Sequence, residues 1–358
     1  MNIMFLHRNF PAQFVYIANA LASNPDNHVV FLANNADYDL NGVNKIIYKL
    51  KREVPEDCHA YTKFYEESII HGQAAAEIAI KFKQKGFIPD IIYGHSWGPT
   101  MYMKDIFPDV PLLCYFEWFY NPMGGDFNFN KKDTVYVNEL AKLRSMNAHL
   151  LMDLYSCDAG ISPTKFQKSQ FPKEYQSKIK VLHDGIDTDF YAPDDNAEFL
   201  VKDKNITFTK KDEVVTYGTR GMEEYRGFPQ FMEAAEKLLK RRPNLHIIIA
   251  GEDKVVYGPK LKDTTYKKMM LEKLDLDLNR VHFVGGLPYT EYAKMLKVSS
   301  AHVYATYPFV CSWSLTDAMS CACPLVVSAT APIMEFIEDK KVIREKHITN
   351  IKQNINMI

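Results

Sequence analysis

Short continuous apolar runs recur along the chain, and most are followed by a segment whose apolar residues return every three or four positions. The short runs are typical of strands buried on both faces of a sheet, and the longer spacing predicts amphipathic helices. Their alternation indicates parallel sheets covered by helices, an α/β fold. The predicted strands are 3–6, 28–32, 91–93, 112–116, 159–162, 179–182, 214–217, 245–250, 281–284, 302–305 and 325–327. The predicted helices are 12–22, 66–85, 137–154, 229–241, 265–273, 289–297 and 314–320.

The alternation is interrupted once, over residues 184–212, where Pro193 and neighbouring acids replace the periodic apolar pattern. A polar, proline-bearing stretch of this kind is typical of a connection between domains. The sequence therefore predicts two tandem Rossmann-like domains, 1–190 and 191–340, with an irregular tail over 341–358. Ligands of such sheets bind at the carboxyl ends of strands, so we expect a ligand in an interdomain cleft.

Composition narrows the possible functions. The 358 residues carry a formal net charge of −1, so the chain has no global basic field for nucleic acid or an anionic membrane surface. Its six cysteines are scattered, which favours buried thiols in a reducing compartment over a disulfide framework. No window of the sequence is apolar enough for a membrane span. We therefore expect a cytoplasmic protein, at most peripherally associated with membranes.

Two arginines follow the predicted strand 214–217, in the segment YGTRGMEEYRGF. The guanidinium groups of Arg220 and Arg226 can hold a diphosphate through charge-assisted hydrogen bonds, and the start of the next helix adds a positive dipole end. The alternative is a pair of solvated loop arginines. Residue type alone leaves both interpretations open.

A second candidate lies in YPFVCSWSLTDAM, where a loop runs from strand 302–305 into a helix. Backbone N–H groups at the helix start can receive a phosphate, and Asp317, one turn further, can accept hydrogen bonds from ribose hydroxyls. The alternative is an ordinary buried crossover helix. The donor-binding candidates are Ser312, Trp313, Ser314, Leu315 and Asp317.

A third candidate is His95 in IIYGHSWGPT, directly after a predicted strand and between two glycines that permit tight turns. A neutral imidazole at that position can hydrogen-bond a sugar hydroxyl or a leaving group. The alternative is a structural turn residue, and the same alternative holds for His7 and Arg8 after the first strand. No GxGxxG, Walker, HExxH or GxSxG motif is present. The acid pairs at Asp187 and Asp275 are not predicted to bind metal.

In their order along the chain, FLHRNFPAQF, GHSWGPTMYMKDIFP, YFEWFYNPMGGDFNF, SPTKFQKSQFP, HDGIDTDFYAP and SWSLTDAMSCACPLVVS resemble the landmarks of family 4 of the retaining glycosyltransferases, which have the GT-B fold. The resemblance implies a hexosyltransferase-type enzyme without metal or other cofactor. It would transfer a sugar from a nucleotide-sugar donor to a glycan, lipid-linked or protein-linked acceptor, with retention of configuration.

The resemblance also assigns roles to residues. Arg220 and Arg226 match the basic pair that neutralises the departing diphosphate, Asp317 matches the acid that holds the ribose, and His95 matches the histidine beside the transferred sugar. Phe309 stands where the family has the first acid of its signature. The acceptor-side candidates are His7, Arg8, Glu117, Trp118, Tyr120, Gly124 and Gly125.

After APIMEFIED the chain departs from the family pattern and continues as a polar tail, KKVIREKHITNIKQNINMI. Family members continue with helices that brace the first domain, so this comparison predicts a truncated or frameshifted C-terminus. The alternative function is therefore a catalytically impaired nucleotide- or sugar-binding remnant of the family.

Overall fold

The computed structural model describes residues 1–36, 38–129, 136–337 and 343–345. The chain forms two compact units, Met1–Gly185 and Ile186–Ile358. Each unit contains one parallel sheet flanked by helices, as the alternating pattern predicts. The predicted tail lies largely outside the described residues.

The first domain is built on a seven-stranded parallel sheet. From edge to edge its strands are Val43–Ile47, His28–Ala33, Asn2–Leu6, Ile91–His95, Leu112–Tyr115, Ala159–Ser162 and Ile179–Val181. The strand order reverses between Asn2–Leu6 and Ile91–His95, which pair directly. A reversal of this kind opens a crevice at the carboxyl ends of the two strands, where ligands of open α/β sheets bind.

The second domain repeats this arrangement with a parallel sheet of six described strands. Their order is Val281–Gly285, His246–Glu252, Val214–Gly221, Ala301–Tyr304, Leu325–Ser328 and Ile343–Glu345. Here the reversal falls between Val214–Gly221 and Ala301–Tyr304. Both segments predicted to bind the donor follow these two strands.

The sheets are covered by helices whose apolar faces supply the rest of the core. The first domain has Val15–Ala22, Lys63–Gln84, Met103–Ile106, Val137–Met146, Ala148–Ser156, Lys165–Ser169 and Lys173–Gln176, and a 3₁₀ turn, Ala12–Phe14. The second has Phe228–Arg241, Tyr266–Lys273, Tyr289–Val298, Trp313–Ser320 and Ala331–Met334, and a 3₁₀ turn, Glu224–Arg226. No helix in the described part of the chain has the length and apolarity needed to cross a membrane.

Helix Phe228–Arg241 shows how the periodic pattern becomes packing. Phe228, Phe231 and Leu238 recur at helical spacing and are buried. The ring of Phe231 stacks on Tyr217 of the central strand, with centroids 4.7 Å apart. Burying such a side chain stabilises the fold by about 2 kcal/mol, so this face fixes the helix, and the turn before it, against the sheet.

All eleven predicted strands are confirmed within a few residues of their predicted ends, but several further strands were missed. One of them, Ile343–Glu345, lies in the predicted irregular tail and pairs with Leu325–Ser328. Edge strand Val43–Ile47 is half polar and lacks a continuous apolar run. An antiparallel hairpin, Glu198–Val201 with Ile206–Thr209, lies inside the predicted connection 184–212. Two short strands, Asn9–Phe10 and Asn35–Ala36, also pair.

The predicted helix 137–154 is wrong in one respect, because the structure divides it at Asn147. The Asn147 amide accepts a hydrogen bond from the Tyr120 N–H and donates one to the Tyr120 carbonyl, both at 2.9 Å. A side chain that bonds main chain in this way competes with the helical pattern. The break therefore comes from a contact distant in sequence.

Candidate functional site

Arg226 lies at the carboxyl end of the second sheet, in the 3₁₀ turn Glu224–Arg226. The turn ends at Gly227, whose φ of 65° is the left-handed conformation that favours glycine. The buried phenol of Tyr217 donates to the Arg226 carbonyl at 2.8 Å and so anchors the turn to the central strand. The sequence around Arg226 therefore fixes its backbone before any ligand binds.

The Arg226 side chain is partly buried and directed by two neighbours. Its Nη1 donates to Thr306 Oγ1 at 2.9 Å, and its guanidinium carbon lies 5.1 Å from the centre of the Tyr257 ring. Burial works to lower the pKa of Arg226, but the phenols of Tyr304 and Tyr257 raise it above its ordinary value. Within the described part of the chain, Thr306 accepts one of the five N–H donors of Arg226, so a permanent cation can offer further donors to an anion.

Arg220 differs from Arg226 in its surroundings. It stands at the end of strand Val214–Gly221, and its side chain is exposed. The structure thus places both predicted arginines at the carboxyl end of the central strand, one held by neighbours and one exposed to solvent.

A buried carboxylate that sequence reasoning missed organises this end of the sheet. Glu223 is 1% exposed and accepts hydrogen bonds from the N–H groups of Val256, Tyr257 and Gly258 at 3.1, 3.0 and 2.8 Å. It therefore holds the loop after strand His246–Glu252 against the turn that carries Arg226. No local pattern indicates this, since two adjacent glutamates in a loop are typical of a solvated turn.

Replacing Glu223 with glutamine is expected to loosen this loop. All three N–H groups bind one oxygen, Oε2, so an amide oxygen can still accept them but without the negative charge. A hydrogen bond to a charged group contributes about 1 kcal/mol more than a neutral one, so three weakened bonds destabilise the loop. We expect amide hydrogen exchange at 256–258 to accelerate at least tenfold. Glu224→Gln, on the neighbouring residue, is the matched control, and equal protection of 256–258 in both variants would contradict the assigned role.

The predicted donor-binding helix is Trp313–Ser320, with Ser312 as its N-cap. The Ser312 N–H donates to the Tyr304 phenol at 2.9 Å, the Ser314 N–H to Ser312 Oγ at 3.4 Å, and the Leu315 N–H to the Ser312 carbonyl at 3.1 Å. Several N–H groups proposed for a phosphate thus have partners within the protein. This leaves Arg226 as the stronger anion-binding group of this domain.

Asp317 lies one turn inside that helix and is 8% exposed. Burial raises the pKa of its carboxyl to about 7. The Asp317 charge in turn contributes to the raised pKa of Tyr292, whose phenol is buried. A carboxyl balanced between its two protonation states near neutral pH can accept hydrogen bonds from a neutral polar ligand group.

In the first domain, the two strands at the reversal point bring His7 and His95 together. Their rings meet edge to face with centroids 4.8 Å apart, and both side chains are buried. His95 Nε2 lies 3.3 Å from a Glu117 oxygen, and the other Glu117 oxygen accepts from Gln13 at 3.2 Å. Three predicted residues therefore form one cluster, which the structure completes with Gln13.

Both imidazoles in this cluster are neutral at physiological pH. Burial, and then the charge of Arg8, lower the pKa of His95 to about 3. Burial, and then His95, lower the pKa of His7 well below its ordinary value. His7 Nδ1 accepts from the Asn9 N–H at 2.7 Å, so the single proton of this ring lies on Nε2.

The Arg8 side chain is held beside these imidazoles by three contacts. It donates to the Trp97 carbonyl at 2.7 Å and to Ser68 Oγ at 3.2 Å, and it forms an ion pair with Glu67 at 3.1 Å. The turn that brings Trp97 into place requires Gly98, because a Cβ there would lie 2.4 Å from the Ser68 carbonyl oxygen.

The remaining acceptor-side candidates lie along the chain after Glu117. Trp118 is buried, and a Cβ on Gly125 would lie 3.1 Å from its ring. Tyr120 is bound through its main chain to Asn147, and Gly124 is exposed with a φ of 81°.

Among the described residues, no group of three or more histidine, cysteine or acidic side chains could hold a metal ion. The acid pairs noted in the sequence have local partners. Asp187 Oδ1 accepts from the N–H groups of Asp189 and Phe190, and Asp277 pairs with Arg280 at 2.7 Å. The geometry thus offers an anion-binding cation in the second domain and neutral imidazoles beside a carboxylate in the first.

Comparison with known proteins gives two family matches that together span most of the chain. Residues 25–191 match the model of the glycosyl transferase family 4 group, and residues 200–358 match that of the glycosyl transferases group 1. No curated protein shows significant sequence similarity to the chain.

Solved structures similar to the chain share its fold. Anabaena HepE, in complex with UDP and glucose, is 14% identical, with a TM-score of 0.65 over 100% of this chain and 89% of its own. WaaG, a glycosyltransferase involved in lipopolysaccharide biosynthesis, is 16% identical, with a TM-score of 0.66 over 99% and 90%. Sucrose-phosphate synthase from Thermosynechococcus elongatus is 12% identical, with a TM-score of 0.67 over 100% and 89%. All three support the GT-B fold class, in which each of two domains is Rossmann-like.

Proposed function

Because the chain belongs to the group 1 glycosyltransferases of family 4, we propose that it transfers a hexose from a nucleotide sugar to an acceptor with retention and without a metal ion. The acceptor class we propose is a glycan, free or carried by a lipid or protein, and the proposed compartment is the cytoplasm. The observation that carries the proposal is Arg226. It is a fixed, partly buried cation at the strand reversal of the second domain.

The proposed chemistry is electrostatic. Breaking the bond between sugar and diphosphate develops negative charge on the departing phosphate, and a preorganised guanidinium stabilises that charge without reorganising. Arg226 is directed by Thr306 and Tyr257 before the donor binds, so its position need not change during the reaction. We propose that Arg220, exposed at the end of the same strand, provides a second contact to the diphosphate.

The donor proposal also draws on the similar structures. HepE was solved with UDP and glucose, and the catalytic domain of Arabidopsis starch synthase IV with ADP and acarbose. A nucleoside diphosphate on the second domain agrees with the position of Arg226. We propose that the carboxyl of Asp317 accepts hydrogen bonds from the ribose hydroxyls.

For the first domain we propose the acceptor side, with His95 as a neutral hydrogen-bonding group. A pKa near 3 excludes His95 as a general acid at neutral pH, because almost none of it is protonated. We propose that retention comes from same-face attack, in which the departing phosphate takes the acceptor proton. This route differs from that of retaining glycosidases, which need two closely spaced carboxylates.

Thermal unfolding in the presence of UDP, GDP, ADP or CMP, and of their sugar derivatives, tests this proposal. Measurements are made with a chelator present, because the proposed site needs no metal. Free ligand at one hundred times its Kd stabilises the folded state by about 2.7 kcal/mol, which raises Tm by several degrees. Arg226→Ala should lose the shift and Arg220→Ala should reduce it.

Three outcomes of this screen are decisive. A Tm shift together with sugar transfer supports the enzyme. A shift without cleavage of any nucleotide sugar identifies the impaired remnant instead. No shift with any nucleotide, or an undiminished shift in Arg226→Ala, contradicts the assigned phosphate site.

A further inference from the structure

Four aromatic rings from three segments surround the proposed phosphate site, and we call them the aromatic wall: Tyr225, Tyr257, Tyr307 and Phe309. Tyr225 and Tyr307 stack at 4.6 Å, and the Tyr307 N–H donates to the Tyr225 carbonyl at 3.0 Å. Phe309 meets Tyr257 at 5.3 Å and Tyr225 at 6.2 Å. The rings therefore join the loops that follow three neighbouring strands of the second sheet.

The wall is continuous with Arg226. The guanidinium lies over the Tyr257 ring at 5.1 Å, and its hydrogen-bond partner Thr306 immediately precedes Tyr307. A phosphate held by Arg226 therefore has these rings as near neighbours. The chemical group attached to that phosphate can then contact the rings.

Two of the rings keep surface that a ligand can cover. Tyr257 is 39% exposed and Phe309 is partly exposed, whereas Tyr307 is only 5% exposed and serves as their support. The Tyr257 backbone is fixed by the buried Glu223 carboxylate. Burying a carboxylate costs desolvation free energy even when three N–H groups bind it. We therefore infer that the loop it orders serves to bind a ligand.

The aromatic wall is suited to one kind of contact. A ring face stacks well on C–H groups, as aromatic side chains do in binding sites generally. A sugar hydroxyl pressed against the ring loses its water without gaining an equivalent hydrogen bond. Glu223, the nearby acid, is 1% exposed and so offers no accessible acceptor for such a hydroxyl.

We propose that Tyr257 and Phe309 form the sugar subsite of the donor and select a deoxyhexose, which presents C–H or methyl groups to the aromatic wall. This inference rests on the proposed function, because it takes the phosphate on Arg226 to be that of a nucleotide sugar. Phe309 is then a specificity-determining residue.

Calorimetry on the full chain with two matched probe series tests the subsite. One series is UDP, UDP-glucose and its 4-deoxy and 6-deoxy derivatives, and the other is GDP, GDP-mannose and the corresponding derivatives. In the series that binds, we expect one deoxy sugar to bind at least fivefold more tightly than its parent. Phe309→Ala should weaken that deoxy sugar at least tenfold and the free nucleotide less than twofold.

Two further variants keep the test decisive. Phe309→Leu preserves apolar volume without a ring and should lose most of the deoxy preference while keeping the wild-type Tm. Phe283→Ala, on edge strand Val281–Gly285, should bind all probes as wild type does. Nucleotide binding with no deoxy preference, or with a preference that survives in Phe309→Ala and Phe309→Leu, overturns the subsite alone. No binding of either nucleotide overturns the subsite, and if ADP and CMP also fail to raise Tm, the proposed function fails with it.

Discussion

Replacing Arg226 with alanine is expected to lower kcat/KM for the nucleotide-sugar donor about 10³-fold, or about 4 kcal/mol of transition-state stabilisation. The guanidinium is the fixed cation closest to the proposed departing phosphate, and Thr306 and Tyr257 direct it. Steady-state kinetics with saturating acceptor would measure the loss. The unfolding temperature should change little, because the Arg226 backbone contact to Tyr217 does not require the side chain.

Two further variants test this assignment, one that separates charge from geometry at Arg226 and one that serves as a control. Arg226→Lys keeps the positive charge but not the planar donors, so we expect an intermediate loss of about 10- to 100-fold. Arg241→Ala removes an exposed arginine at the end of the following helix and should leave kinetics unchanged. A loss below tenfold in Arg226→Ala would contradict the catalytic assignment.

The second large effect is a loss of stability at mildly acidic pH. Six buried imidazoles have pKa values lowered chiefly by burial, to about 3 for His95 and His149, to about 4 for His71, His282 and His302, and well below its ordinary value for His7. Below the unfolded pKa of about 6.5, the unfolded chain binds protons that these folded imidazoles do not. Each then contributes a loss of at most about 1.4 kcal/mol per pH unit as pH falls from 6.5 toward the folded pKa.

Two buried acids act in the opposite direction. Burial raises the pKa of both Asp153 and Asp317 to about 7. Between about pH 7 and pH 4, each carboxyl therefore keeps a proton in the folded state that it releases in the unfolded state. Two acids offset two of the six imidazoles, so these groups leave a net loss of at most about 5.4 kcal/mol per pH unit between pH 6 and 4.5. Urea unfolding across that range would measure the slope.

His302 provides the control for this pH effect. Its Nδ1 lies 2.8 Å from Thr216 Oγ1 in the core of the second domain. His302→Asn retains a polar group for that contact and removes one buried imidazole, so the slope should fall by about 1.4 kcal/mol per pH unit at most. Stability independent of pH, or an unchanged slope in this variant, would contradict the account of neutral buried imidazoles.

The fold was largely predictable because its central strands are buried on both faces. Such strands need uninterrupted apolar residues, and this requirement is visible locally, as in Ile247–Ile249 of the second sheet. Edge strand Val43–Ile47 has a neighbouring strand on one side only and is partly exposed throughout, so it tolerates Asn44 and Lys45. The break at Asn147 was hidden for another reason, since it depends on Tyr120, which is 27 residues earlier.

The residues of the candidate site that lie at the ends of strands could be predicted from the sequence. His95 and Arg226 were found because each follows a recognisable strand and has a chemically informative side chain. Gln13 contacts Glu117 across 104 residues, and Glu223 reaches a loop 33 to 35 residues away. Contacts of that separation leave no periodic signal, so the partners that position the site could be identified only from the fold.

We propose metal-independent, retaining transfer that depends on Arg226, and proton NMR of the anomeric signal tests it. The wild-type protein is given the nucleotide sugar that raises its Tm most, with a chelator present, and its cleavage or transfer is followed. We expect an α-linked donor to give an α-configured product first, and Arg226→Ala to give almost none. A β-configured first product, or undiminished turnover in Arg226→Ala, would contradict it.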